Sequence, residues 1–496
     1  MLRTAEAYWQ GLRDGREVYL RGQRVEDVTT HPALARGARH TALDFHLAED
    51  PALRPLMVTD GPDGPYSRYF PLPRTAADLR RRNELIETVT RRGNSLVPLV
   101  KEIGTDAIFA MLIVAPAVDR QAGAVYTRRV EAFHRHCRDG DLTMAVAQTD
   151  VKGDRSLRPH QQTQPDTYVH VVERRRDGIV VRGAKAHTTN AVYADEIIVL
   201  PTRALGREDA DYAVAFAVPA ATKGVRYLAS PRGFSSTSVF DHPLSARHQI
   251  VESLTAFEDV FVPMERVFLL GEWQAAGLLA KTFVEFHRFT AVSYKPPLLE
   301  LLIGAAALLA DYNGIAAAGH VRDKLVHLLM YLETMRGLTH AAAAECAMKE
   351  GLAVPNVVYT NAAKYHFALH YHDAVRAVQD IAGGLTVTGP VEEDWNAPDT
   401  RAVMERYLVG AGVDAETRLR AINLVRDLTA SDLGGYLEVL AIHAEGSLEA
   451  QKLTVLMDTD LEPYKAFARR LAGIEHENAS PGATRPGASA NSPSRS

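Results

Sequence analysis

The spacing of hydrophobic positions changes twice along the chain. Over residues 1–140 the spacing is mostly helical, and "TAADLRRRNELIETVTRRGNSLVPLV" puts Leu79, Leu85, Ile86 and Val89 on one helix face. The run "DAIFAMLIVAPAV" is apolar and too short to cross a membrane, which predicts a buried helix. From 141 to 275 the pattern shortens. "TYVHVVERR", "GIVVRGAKAH", "EIIVLPT" and "YAVAFAVP" are short runs rich in β-branched residues, divided by Gly, Pro, Asp and Asn. Asp-Gly in "RRRDGIVV" predicts a hairpin. From 276 to 475 helical spacing returns in "PPLLELLIGAAALLADYNGI", "VRDKLVHLLMYLETMRGLTHAAAAECAMKEG" and "ETRLRAINLVRDLTA". The pattern predicts an α+β chain of four parts: a helical domain (1–140), a β-domain (141–275), a helical bundle (276–475) and a disordered tail (476–496). The tail is Pro, Ser, Gly and Ala without an apolar anchor.

Composition narrows the classes of function. A chain of 496 residues with 46% hydrophobic content has ample material for a large core. Net charge is −5 and no long basic run occurs, which argues against a nucleic-acid partner. Cys137 and Cys346 are the two cysteines, too few for a disulfide framework and suited to a reducing compartment. The N-terminus lacks a signal-peptide core, and no window reaches the length of a membrane span. The expectation is a cytoplasmic protein.

Four stretches carry candidate chemistry. "AVAQTDVKGDR" runs an apolar strand into Gln148, Thr149, Asp150, Lys152 and Arg155. Such a strand end suits a planar polar ring, with Lys152 and Arg155 meeting a phosphate or carboxylate; an Asp-rich surface turn is the other explanation. "RGAKAHTTNA" sets His187, Thr188, Thr189 and Asn190 at a second strand end, as part of a shared site or as a simple polar loop. "DIAGGLTVTGP" offers Gly383 and Gly384, where a pyrophosphate approaches backbone closely or where two helices simply turn. "FVEFHRFTAVSYKPP" places His287 and Lys295 two helical turns apart, which suits one side of a pocket; a buried structural histidine is the other explanation. "HRHC" and "HFALHYH" lack the partners of a metal site, so no metal is expected.

The chain resembles the flavoproteins that include the oxygenase component of 4-hydroxyphenylacetate 3-monooxygenase and 4-hydroxybutyryl-CoA dehydratase. "DGREVYLRGQRVEDVTTHPAL", "TDVKGDR", "GIVVRGAKAH", "FEDVFVPMERVF", "IGAAALLADYNG" and "DIAGGLTVTGP" carry the resemblance, over roughly residues 3–473. It implies an acyl-CoA-dehydrogenase-like fold: N-terminal helical domain, central β-barrel, C-terminal four-helix-type bundle. It also implies a homotetramer, with FAD between barrel and bundle and a neighbouring subunit contributing. By resemblance, Gln148, Thr149, Lys152, Arg155, Thr188, Thr189, Gly383 and Gly384 bind the cofactor. Glu252, His287 and Lys295 match polar active-site positions of the dehydratase branch, and Glu438 matches a bundle glutamate.

The chain departs from both branches. The dehydratase branch holds an iron–sulfur cluster on a Cys-x-x-x-Cys pair, a His and a Cys seven residues later. Here "GNSLVPLVKEIGTDA" has no cysteine, the later Cys position is Tyr294, and a tyrosine between His and Lys is Ala291. Thiolates hold such clusters, so none is expected. The hydroxylase branch binds phenol through an Arg, a Tyr and a His, whose positions pair here with Leu99, Ile103 and Val146. The first expectation is therefore a two-component monooxygenase. A separate flavin reductase supplies FADH2, and a C4a-hydroperoxyflavin hydroxylates an aromatic or carrier-bound small molecule. The alternative is a cluster-free acyl-CoA isomerase or dehydratase-like enzyme. A non-catalytic flavin-binding protein fits less well, because buried polar groups without a task cost stability.

Overall fold

The computed structural model describes residues 2–474; the tail expected over 476–496 lies outside the described residues. Three long helices dominate the N-terminal part: Ala76–Arg92, Glu102–Ala122 and Tyr126–Gly140. The first starts on a capping box in which Thr75 and Asp78 satisfy each other's free backbone N–H. The second contains the apolar run and is buried on nearly every side.

The middle of the chain folds into two sheets. The larger has six strands in the order Gln23–Val25, Glu17–Leu20, Val225–Ser230, Glu252–Pro263, Gly178–Lys185, His170–Arg174. The smaller has four, in the order Val267–Leu270, Val214–Pro219, Glu196–Val199, Met144–Ala147. The expected Asp-Gly hairpin forms between His170–Arg174 and Gly178–Lys185. The inner faces share one core, in which Phe216 of the small sheet meets Phe257 of the large sheet edge-on at 5.8 Å.

Two features differ from the sequence-based expectation. Residues near the N-terminus are not all helical: Glu17–Leu20 pairs in parallel with Val225–Ser230 and so completes the large sheet. The sheets also do not close into a barrel among the described residues. They are tied by an isolated bridge between Asp150 and Lys185. The ladder stops there because Lys152 (φ 76°) and Gly153 (φ 49°) turn left-handed and lead the chain out of the sheet.

Beyond residue 272 the helices Trp273–Tyr294, Pro296–Tyr312, Gly319–Ala344, Val357–Ala382, Ala415–Thr429 and Asp432–His443 pack as a bundle. The stretch Trp273–Tyr312 has the length and composition of a membrane span, but 61% of its apolar window is buried inside the protein. The consecutive prolines Pro296 and Pro297 break this stretch into two helices, since proline cannot donate to the preceding turn. Helix Glu102–Ala122 lies against helix Trp273–Tyr294, which brings a polar position of the N-terminal part to the bundle.

Candidate active site

The C-terminal end of helix Trp273–Tyr294 delivers His287, Arg288 and Tyr294, and Lys295 follows as its cap. The His287 ring stacks on Phe283 at 5.2 Å and 11°, fixing its plane, and Nδ1 lies 3.5 Å from Asp106 Oδ2. Lys295 is buried beneath two rings, 4.4 Å from the Tyr294 centroid and 4.9 Å from that of Phe367.

These side chains converge on Glu445. Lys295 Nζ lies 3.3 Å and Lys364 Nζ 3.5 Å from Glu445 Oε2, and the Tyr294 hydroxyl donates to Oε1. Glu445 sits at φ 55°, unusual for a residue with a side chain, in the turn between helices Asp432–His443 and Leu448–Asp458. Arg288 Nε donates to its carbonyl at 2.9 Å and holds that turn. The next residue, Gly446 (φ 99°), leaves room for the guanidinium: a Cβ there would come within 2.7 Å of Arg288. Burial alone would raise the Glu445 carboxyl, but Lys295, Lys364, His287 and the Tyr294 hydroxyl together hold it down to about 2. Burial pulls the Lys295 ammonium down to about 8, only partly offset by Glu445 and reinforced by Lys364. Burial likewise lowers Lys364 and raises the Tyr294 phenol.

A second group abuts the first. Glu252, at the start of its strand, accepts from Thr189 Oγ1 at 3.0 Å and from the Tyr436 hydroxyl at 2.9 Å. Burial pushes its carboxyl above the usual range against both hydrogen bonds. Tyr294 feels the charge of Glu252, and Tyr436 that of Glu445, so both groups form one electrostatically linked site. Of the sequence-predicted residues the fold thus assembles His287, Lys295, Glu252 and Thr189. Glu445, Lys364 and Tyr436 were not anticipated. Lys364 was visible as a lone charge in the otherwise apolar face of "NAAKYHFALHYH", and Glu445 had only a Glu-Gly turn to mark it.

The strand end "QTDVKGDR" owes its polarity first to structure. Asp150 and Lys185 are both buried and 2.8 Å apart. Asp150 also accepts from Val169 N at 3.0 Å and from Thr202 Oγ1, while Lys185 donates to the Gln148 and Leu200 carbonyls at 2.9 Å each. Gln148, Thr149 and Lys152 stay partly exposed beside this pair, and Arg155 is exposed. Burial, then the neighbouring Arg155 charge, lowers the Lys152 ammonium. Thr188 is buried and its hydroxyl has no partner among the described residues.

Three predicted residues are placed differently. Gly383 (φ 82°) and Gly384 cap helix Val357–Ala382 at an exposed turn, and a Cβ on either would meet nothing within 4 Å. The chain by itself therefore shows no close backbone approach there. Glu438 lies on the same helix as Tyr436 and within electrostatic reach of Tyr371, whereas the hydrogen bond to Glu252 comes from Tyr436. Leu99, Ile103 and Val146 meet in one apolar core cluster, against which Tyr294 packs.

The comparisons with known proteins agree with this architecture. The family model described as 4-hydroxyphenylacetate 3-hydroxylase N terminal matches residues 4–269, and its C-terminal counterpart matches 276–473. The chain is 31% identical over 495 residues to 4-hydroxybutyryl-CoA dehydratase/vinylacetyl-CoA-Δ-isomerase of Clostridium aminobutyricum, covering 96% of this chain and 100% of the relative. An oxygen-tolerant archaeal 4-hydroxybutyryl-CoA dehydratase from N. maritimus superposes with a TM-score of 0.91 at 29% identity, over 98% of both chains. The oxygenase component of 4-hydroxyphenylacetate 3-monooxygenase, solved with FAD and 4-hydroxyphenylacetate, gives 0.89 at 29% identity, over 95% of this chain and 98% of that one. With both family models matched along nearly its whole described length, the chain belongs to the 4-hydroxyphenylacetate 3-hydroxylase family.

Proposed function

We propose that this chain is the oxygenase component of a two-component, FADH2-dependent monooxygenase that hydroxylates an aromatic or carrier-bound small molecule in the cytoplasm. The observation that carries this reading is the buried set His287, Lys295, Tyr294 and Glu445 inside a fold whose solved relative holds FAD and 4-hydroxyphenylacetate. The chain's own residues suit a flavin: the Thr188 hydroxyl is buried without a partner among the described residues, and Gln148 and Thr149 lie partly exposed at the adjoining strand end, where the Thr149 carbonyl accepts from Ala186 N. In this reading Gln148, Thr149, Thr188 and Thr189 grip the ring system, while Lys152 and Arg155 meet the phosphates. Gly383 and Gly384, open on their own chain, approach the cofactor of a second copy in a homotetramer. A separate reductase supplies the cofactor in reduced form, and bound FADH2 provides two electrons and activates oxygen.

The protein's part is to exclude water, orient substrate and manage protons. His287, held flat by Phe283, moves a proton at Nε2. Lys295, charged below about 8, steadies negative charge that develops on the substrate. Glu445 keeps both lysines in place. Leu99, Ile103 and Val146 make the substrate side apolar, so a free phenol is not gripped there by Arg, Tyr and His. The test is oxygen uptake with 18O2. One labelled oxygen atom entering the product, only when reductase and FAD are both present, supports the reading; flavin-independent or unlabelled product overturns it.

A second reading has its own support. Glu252 is linked electrostatically, through Tyr294 and Tyr436, to the group of Glu445 that holds Lys295 and feels His287, and a relative of 31% identity is named a dehydratase/isomerase. A cluster-free acyl-CoA isomerase would use Glu252, raised by burial, to move a substrate proton. Solvent deuterium entering an unsaturated acyl-CoA without oxygen would favour it over hydroxylation.

A further inference from the structure

We propose that Asp106 is a positioning residue for His287: its carboxylate keeps the ring proton on Nδ1 and so leaves Nε2 as the acceptor. The inference rests on the assignment of His287 to proton transfer above. Asp106 lies in the second turn of helix Glu102–Ala122, its side chain 0% exposed. Its two oxygens have different surroundings. Oδ1 accepts from Arg82 at 2.6 Å and from Thr290 at 3.1 Å. Oδ2 is buried with no hydrogen-bond partner, and so is His287 Nδ1, 3.5 Å away.

Two buried polar atoms without partners, facing each other, are a strong geometric signal. Leaving either unsatisfied forfeits the hydration it gave up on burial. A proton on Nδ1 satisfies both after a shift of a few tenths of an ångström, whereas a proton on Nε2 would set two acceptors against each other. Arg82 is the counter-ion of Asp106, so the carboxylate does not need the imidazole for charge balance. The ring retains 11% exposure while Nδ1 is buried, so its open edge is Nε2. The Phe283 stack fixes the plane of the ring. Glu445 lies within electrostatic reach of the same ring, and no bond forms or breaks at Asp106 during turnover.

The test is 15N NMR of the flavin-loaded protein with labelled histidine at pH 8, the His287 signals being identified by their loss in His287→Gln. The expected spectrum has a protonated Nδ1 and an unprotonated Nε2. In Asp106→Asn the tautomers should mix and kcat fall about 10²-fold, within the range of general acid–base catalysis, while KM and flavin affinity hold. A proton on Nε2, or a doubly protonated ring, in the unsubstituted protein overturns the proposal even where Asp106→Asn fails to fold. Unchanged tautomer and kcat in Asp106→Asn overturn it too. The spectrum does not depend on the reaction: an Nδ1–H ring in a protein that hydroxylates nothing would remove the oxygenase reading and leave the pairing intact.

Discussion

Two buried lysine–carboxylate sites, one on the sheets and one in the bundle, differ in how completely they are satisfied. At the sheets, Asp150 and Lys185 are matched one to one, and each also hydrogen-bonds backbone, Asp150 to Val169 and Lys185 to Gln148 and Leu200. In the bundle, Glu445 serves Lys295 and Lys364 at the longer distances of 3.3 and 3.5 Å, on a backbone at φ 55°. Among the described residues the Lys295 ammonium bonds to Glu445 alone, beneath two aromatic faces and with the like charge of Lys364 nearby. A buried pair whose donors are all used fixes structure, and the Asp150 pair does so by joining two sheet edges. A buried ammonium with unused protons on a strained support is the arrangement expected where a substrate completes the set.

Substitutions can break this contrast. Glu445→Gln and Asp150→Asn should each cost about 3–5 kcal/mol, because each strands a buried ammonium. They should differ in turnover: per folded, flavin-loaded molecule, Asp150→Asn keeps it and Glu445→Gln loses it. Equal turnover in the two variants would erase the distinction. Glu445 also sets an acid limit. Its carboxyl is about 2 in the folded chain against 4.5 ordinarily, so its stabilisation is present above 4.5 and disappears as pH falls toward 2. Urea titrations should show that acid loss shrinking in Glu445→Gln.

His287→Ala should lower turnover about 10²- to 10⁴-fold with flavin affinity unchanged, measured by steady-state kinetics beside flavin fluorescence titration. Lys295 gives a smaller effect with a definite direction. Its folded pKa is depressed to about 8 from 10.5, so activity that needs the ammonium falls as pH rises through about 8. Stability should rise over the same window, since the unfolded chain then binds the extra proton. Lys295→Met should remove that alkaline limb. The smallest effect on folding is expected at Gly384→Val, within about 0.5 kcal/mol, because the position is open. It should still weaken flavin binding in the assembled protein, and unchanged binding there would remove "IAGGL" from the cofactor site.

Much of this architecture was legible in the sequence where period and turn chemistry agree. The hairpin Gly178–Lys185 announced itself through Asp-Gly, and the buried helix Glu102–Ala122 through its unbroken apolar run. Strand Glu252–Pro263 was legible only as a family motif, because a bulge between Phe257 and Val260, with Asp259 at φ 53°, breaks its alternation. Strand Glu17–Leu20 is too short to show a period and forms only by pairing with residues two hundred positions on. Within the site, His287 and Lys295 share one local segment and were readable from spacing. Glu445 is joined to Lys295 across 150 residues by tertiary packing, which no local pattern encodes. Asp106 was equally hidden, a single polar letter whose partner lies on another helix.

The most direct test of the central claim is rapid mixing of the protein, loaded anaerobically with FADH2, with oxygenated buffer under absorbance detection. The account predicts a spectral phase distinct from both reduced and oxidised flavin that outlasts the oxidation of free FADH2. Direct passage from reduced to oxidised flavin at the rate of the free cofactor would contradict it.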